Sequence, residues 1–506
     1  MTLTPWLLEA LTTGVIGLSG VGVGILFGWR HPLLLGSLAV LISTSVRILT
    51  TFAIWGVGAF SWLTASWWVA SIAVAIIGGL VALTRARRQY FQSLGIFAAF
   101  GAAAILVKYV FHIGERHHRD SSSTVEAALL VFQNNLDPTL WDPSEKRGLA
   151  YPMMLALGPE PRMLSVVTPL VFFSLLGLSW WVAREFMRDR VPVRWQVTAG
   201  SLVLAFSLTV PIFRVALTYL NSHTLMALAV VAMTAGYLIA ERDGKVTLPT
   251  AAMMVTGSLI GSTARVEGIV FVAVVLAIIV SSPSVTGKAG RVGVFLAVAI
   301  SGTSLATWLH LIDSEVPDDF GVPLWVVGLA TVAAAIIVVT PLLDRVRWVF
   351  FPLAAFIIAV FIIRVALAAD NPLSPFMSQF NNVVRGYGGW GVAALALAGA
   401  LLLLGWKARS PQYRKLAALL VVMIFSALFA KLFDGGGFGG GFGRDSFYDS
   451  ANRMWLHTLG IAMATMVLGY AEFMHDLSQK WTSRRRLGES DDYTANTANL
   501  SKETHP

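Results

Sequence analysis

Between His117 and Pro152 the chain reads HHRDSSSTVEAALLVFQNNLDPTLWDPSEKRGLAYP. Two acids, Asp120 and Glu126, and two adjacent cations, Lys146 and Arg147, stand out in it. A positioned carboxylate can take a proton from an attacking hydroxyl. Lys meets a phosphate as a point charge and Arg as a bidentate fork, so this pair suits a phosphate leaving group. Each residue also has a plainer role. Asp120 can be a solvated loop acid or a helix cap, and Glu126 can close a capping box with Ser123. Lys146 and Arg147 can anchor the chain to anionic head groups. His112, His117 and His118 lack regular ligand spacing, so interfacial histidines are expected rather than a metal site.

The surrounding chain must position these groups. It is 56% hydrophobic and 13% charged, and this stretch is the longest polar interruption in its first 300 residues. Apolar runs of about 18 or more residues recur on both sides, each long enough to cross a roughly 30 Å hydrocarbon core as a helix. A spanning segment must satisfy its own backbone, and strand-like alternation is absent. The chain therefore reads as an all-α polytopic membrane protein. Fifteen apolar segments are expected, at 6–28, 33–57, 62–84, 93–111, 163–183, 195–216, 222–240, 249–264, 266–281, 292–311, 323–341, 348–368, 388–405, 416–433 and 455–471. The junction GSTARVEGIV is either a break in one helix or a tight hairpin. With no cysteine, disulfides, thiolate metal sites and cysteine nucleophiles are excluded.

The basic residues orient the segments. TRARRQ, AREFMRDRVPVR, ERDGK, TGKAGR, DRVR, KARSPQYRK and the tail fall in alternate loops. Together with Arg30 they carry 23 of the 37 Lys and Arg residues. Such loops are cytoplasmic by the positive-inside rule, which puts the N-terminus outside and the C-terminus inside. The net charge of +9 thus belongs to the membrane, and no nucleic-acid partner is expected. The opening stretch becomes extracytoplasmic. In it, Val125, Ala128, Leu129, Phe132 and Leu136 follow helical spacing on one face, as in a short helix at the membrane surface. LAYPMMLALG then re-enters apolar territory but is too short to span. The polar tail 472–506 is expected to be cytoplasmic and disordered.

These motifs resemble the first extracytoplasmic loop of the GT-C membrane glycosyltransferases, nearest the branch of lipid A aminoarabinose transferases and protein O-mannosyltransferases. That pattern has an acid just after a transmembrane helix, a second acid six residues on in an amphipathic helix, and a basic–small–x–aromatic re-entry. Asp120, Glu126 and EKRGLAYP take those places. ALTYLNSHTLMALAVVAM, GSTARVEGIVFVAVV and SANRMWLHTLG resemble later segments of the family more loosely. The likeness covers residues 93–471 as a GT-C-like transmembrane core, after extra N-terminal helices in 1–92.

The resemblance implies inverting transfer of a sugar from a polyprenyl-phosphate donor to a cell-envelope acceptor, at the extracytoplasmic face of the bilayer. It implies Asp120 and Glu126 as catalytic residues and Lys146, Arg147, Tyr151, Arg214, Arg265 and Arg453 as substrate contacts. No cofactor is implied. Basic residues within or at the edge of spans are costly and tend to be functional, and Arg47, Lys108, Arg214, Arg265, Arg364 and Lys431 qualify. For Arg265 a structural ion pair with Glu267 is the competing role. DGGGFGGGFGRD reads as a mobile acceptor-side loop or a plain linker, and EVPDDFG as a solvated loop. Two other functions compete: a transporter or lipid flippase, and a non-catalytic scaffold of related fold.

Overall fold

A computed structural model describes residues 4–56, 60–113, 119–133, 150–156, 163–220, 222–265, 268–285, 287–313, 324–340, 374–407 and 455–502, with isolated positions between 345 and 359. The chain is an all-α membrane protein, with no strand among the described residues. Four long helices come first: α1 (Thr4–Leu26), α2 (Pro32–Gly56), α3 (Leu63–Arg85) and α4 (Arg87–Phe111). Two short ones follow, α5 (Arg119–Phe132) and α6 (Ala150–Leu155). After a 3-10 turn at Met163–Val166 come α7 (Val167–Met187), α8 (Val193–Thr209), α9 (Pro211–Thr218) and α10 (His223–Asp243). The remainder are α11 (Leu248–Ala264), α12 (Gly268–Ser281), α13 (Lys288–Asp313), α14 (Leu324–Val339), α15 (Ser374–Val383), α16 (Val392–Lys407) and α17 (Leu459–Lys502).

Among the described residues, seven helices are long and apolar enough to cross a membrane, or eight if α8 and α9 form one bent span. Shorter apolar stretches occupy α12, α13 and α16. The expected segment 416–433 and most of 348–368 lie outside the described residues. The expected single span 195–216 is broken: α8 and α9 meet at 84°. Pro211 supplies the cause. It disfavours a helical residue before it, and Val210 is extended at φ −76°, ψ 124°. Around GSTARVEGIV the chain forms the hairpin rather than one broken helix. Gly268 lies so close to the Gly261 carbonyl that a side chain there would clash, while Ser284, just beyond α12, donates to Glu241 (3.2 Å) at the far end. The tail departs from expectation too, because α17 continues as helix to Lys502. Extending an existing helix avoids the cost of nucleating one.

Contacts fix the direction of several helices. At one end Arg242 of α10 pairs with Glu185 of α7 (2.7 Å), and Trp29 donates to the Pro249 carbonyl (2.9 Å). Arg30, Arg85 and Arg184 share this end, where Arg30 donates to the Arg85 carbonyl (3.4 Å) and His31 stacks near Trp181 (6.1 Å). At the other end lie the start of α1, the finish of α4, and α5, α6 and α9. Arg30, Arg85, Arg184 and Arg242 thus gather at the end opposite α5 and α6.

The helices come close where side chains are small. A Cβ on Gly78 of α3 would sit 2.6 Å from the Gly22 backbone of α1, and one on Gly257 of α11 would sit 2.6 Å from the Ala229 carbonyl of α10. Such contacts let helices associate where lipid removes the hydrophobic drive between them. Residues 1–92 do not stand apart from the rest: α2 packs on α4, α6, α7 and α11 as well as on α1 and α3. By contrast α3, α4 and α8 turn Leu80, Leu106 and Leu202 outward, as suits a hydrocarbon solvent.

Candidate functional site

The site is built where α4 ends and α5 begins. Helix α4 stops at His112, whose left-handed backbone (φ 50°) lets Ile113 N–H reach back to the Lys108 carbonyl (3.0 Å). Ile113 then packs with Val125 of α5 and Leu220 beyond α9, and accepts at its carbonyl from Ser165 (2.8 Å). Helix α5 is therefore held against the bundle by one apolar cluster and by α6.

Helix α5 starts at Arg119, one turn before Ser123, so Ser123 and Glu126 do not form the expected capping box. Its buried positions are Thr124, Val125, Ala127, Ala128 and Val131, with Leu129 and Phe132 half-buried. The observed face is the expected one, rotated slightly. Asp120 lies in the first turn, four residues before Thr124, seven before Ala127 and eight before Ala128. Glu126 is exposed. The two acids thus share one helix, Asp120 in its first turn and Glu126 near its middle.

Helix α6 is six residues long and entirely buried. Pro152 is tolerated in its first turn, where a backbone donor is not needed. Tyr151 is 1% exposed and its hydroxyl is hydrogen-bonded to Thr168 of α7. Burial pushes this phenol well above its ordinary range, with the Thr168 bond opposing, so Tyr151 is a neutral tie between α6 and α7. Met153 rests on Thr51 of α2 (3.7 Å), which also accepts from the Trp67 indole of α3 (2.9 Å).

The remaining expected contacts divide. Arg265 follows α11 in extended conformation, half-buried and within electrostatic range of His457. Arg214 is exposed on α9, which is held by Ile212 N–H to the Gly389 carbonyl (3.2 Å) and by Phe213 against Trp390. Lys146, Arg147 and Arg453 lie outside the described residues, as do Glu267, Arg364, Lys431, His117 and His118.

Sequence reasoning missed two features here. Lys108 is not a lone cation: it pairs with Glu9 of α1, which also accepts from Tyr109 (3.3 Å). The second is a buried imidazole pair. His223, opening α10, and His457, in the turn before α17, meet ring nitrogen to ring nitrogen at 2.8 Å. Phe271 presents an edge-on contact to His457 (4.8 Å), whose Nδ1 is buried without a hydrogen-bond partner. Both histidines stand inside segments quoted above for their family likeness, and a histidine entering an apolar helix was the available signal.

Chemically, this end offers an acid in the first turn of α5, one peripheral guanidinium on α9 and another after α11, and a neutral floor. No protein-family model, curated protein or solved structure matches this chain.

Proposed function

We propose that the chain is a membrane glycosyltransferase of the GT-C type, with about fifteen spans. It moves a sugar from a polyprenyl-phosphate donor to a cell-envelope acceptor. The observation that carries this reading is the placement of Asp120. It occupies the first turn of α5, at the end of the bundle opposite Arg30, Arg85, Arg184 and Arg242. With those residues cytoplasmic, Asp120 faces the extracytoplasmic side.

In this mechanism Asp120 takes the proton of the acceptor hydroxyl as the oxygen attacks the anomeric carbon. The bond from that carbon to the phosphate oxygen breaks, and polyprenyl phosphate leaves with the electron pair. Attack opposite the leaving group inverts the anomeric centre. Lys146 and Arg147 stabilise the departing phosphate, and Arg265 and Arg214 supply further cations. Tyr151 serves by fixing α6. Exposed Glu126 serves the helix or the acceptor side rather than the bond-breaking step.

Breaks at the centre of the bilayer are the mark of transporters. The α8–α9 bend comes instead after the 17 residues of α8, about 26 Å of helix, and α9 leads to Leu220, which packs on Val125 of α5; this favours the enzyme reading. Purified protein supplied with a panel of polyprenyl-phosphate sugars tests it: release of polyprenyl phosphate with sugar transfer is expected from one donor. No turnover with any donor would move the transporter or scaffold reading ahead. Orientation is tested separately. The chain has no native cysteine, so a cysteine at Ser122 should react with an impermeant thiol reagent on intact cells and one at Thr482 should not.

A further inference from the structure

Arg47 lies on α2, fifteen residues after Pro32 and nine before Gly56, which is about 22 Å and about 14 Å along the helix. It is 1% exposed. Its Nε donates to the Ser43 carbonyl (3.2 Å), and one terminal nitrogen reaches the Ser43 and Thr44 hydroxyls (3.4 Å each). The other terminal nitrogen is buried and has no hydrogen-bond partner. No carboxylate pairs with it among the described residues. Arg keeps its proton in proteins, so this is a full positive charge inside a membrane bundle. An uncompensated buried charge is among the most costly groups a fold can hold, and intramembrane ionisable residues mark functional sites by default.

The location gives the charge a context. Thr51 donates to the Arg47 carbonyl (2.9 Å) and touches Met153 of α6 (3.7 Å). Arg47 therefore sits one helical turn beneath the floor of the candidate site. Its Nε and Nη2 face a carbonyl and hydroxyls, and the unused Nη1 carries N–H donors that suit an oxyanion. The Ser43 and Thr44 hydroxyls are already engaged elsewhere: Ser19 donates to Ser43 (2.9 Å) and Thr44 donates to the Val40 carbonyl (2.8 Å).

We propose that Arg47 is the buried cation of an anion site beneath α6, taking the oxygens of a phosphate group. In the glycosyltransferase reading, on which this identification of the occupant rests, that group is the phosphate of the lipid-linked donor or product. Free phosphate shares the same chemistry, and the experiment separates the two.

Binding is measured on the full-length protein in neutral-lipid nanodiscs, with undecaprenyl phosphate and inorganic phosphate as separate probes. Unliganded stability is measured in parallel. Arg47→Met keeps the volume, removes the charge and strands neither hydroxyl. It is expected to be at least as stable as the parent without ligand, yet to bind the responding phosphate about tenfold or more weakly. Should Arg47→Met fail to fold, Arg47→Lys carries the test, because it keeps the charge, loses the fork and should bind more weakly than the parent. A response to inorganic phosphate alone, lost in Arg47→Met, supports the anion site while contradicting the lipid-donor reading. Wild-type affinity in the variants, or no binding of either probe by the parent, overturns the proposal.

Discussion

Lys108 and Arg47 are both cations buried in the first four helices, and they differ in company. Lys108 meets Glu9 of α1, with Tyr109 bonded to the same carboxylate, so the charge is neutralised within the fold. Arg47 meets only a carbonyl and two hydroxyls. A paired charge can be explained by architecture, since it ties α4 to α1. An unpaired one cannot, because its burial opposes folding without returning an attraction. The difference separates a structural basic residue from one held for a ligand.

The largest stability effect is expected where the comparison is inverted. Glu9→Gln takes the carboxylate from buried Lys108, and should destabilise the protein by about 3–5 kcal/mol in a denaturation assay. Replacing both partners, as Glu9→Leu with Lys108→Met, should recover most of that loss. Equal stability of Glu9→Gln and the parent would show that the pair does not bear on folding.

A smaller effect is expected at the buried imidazole pair. His457→Leu removes the partner 2.8 Å from His223 and should cost about 1–3 kcal/mol, the range for leaving a buried polar group short of a bond. A stability gain would instead mark this pair, like Arg47, as held for function. The smallest effect belongs to the opposite end of the bundle. Arg242 pairs with Glu185 and Asp243 but is one-third exposed, so Arg242→Ala should change stability by about 1 kcal/mol or less. A larger loss there would mean that the basic end also relies on buried charge.

Sequence marked Lys108 and Arg47 alike as costly, and could not tell them apart. The distinguishing partner, Glu9, is 99 residues from Lys108, and only tertiary packing joins them. The long helices α1 to α4 were legible because lipid-spanning runs are written in local composition. Pro211 was visible, yet its bend was absorbed into an apolar segment, since hydropathy is blind to direction. Val125 and Ala128 revealed the face of α5. Its first turn was misplaced because Ser123 and Glu126 satisfy a capping box on paper, while the helix begins at Arg119. The His223–His457 contact joins residues 234 apart and has no local signature beyond two polar rings in apolar segments.

The assignment of Asp120 as the base is tested most directly by the turnover of Asp120→Asn beside Glu126→Gln, with the donor that supports activity in the parent. Asparagine keeps the shape and removes the basicity. The expected result is a loss of about 10²–10⁴-fold in turnover at Asp120, with folding and donor binding intact. Glu126, on the exposed side of α5, should show a much smaller loss. Full activity in Asp120→Asn, or a loss confined to Glu126→Gln, would contradict the assignment.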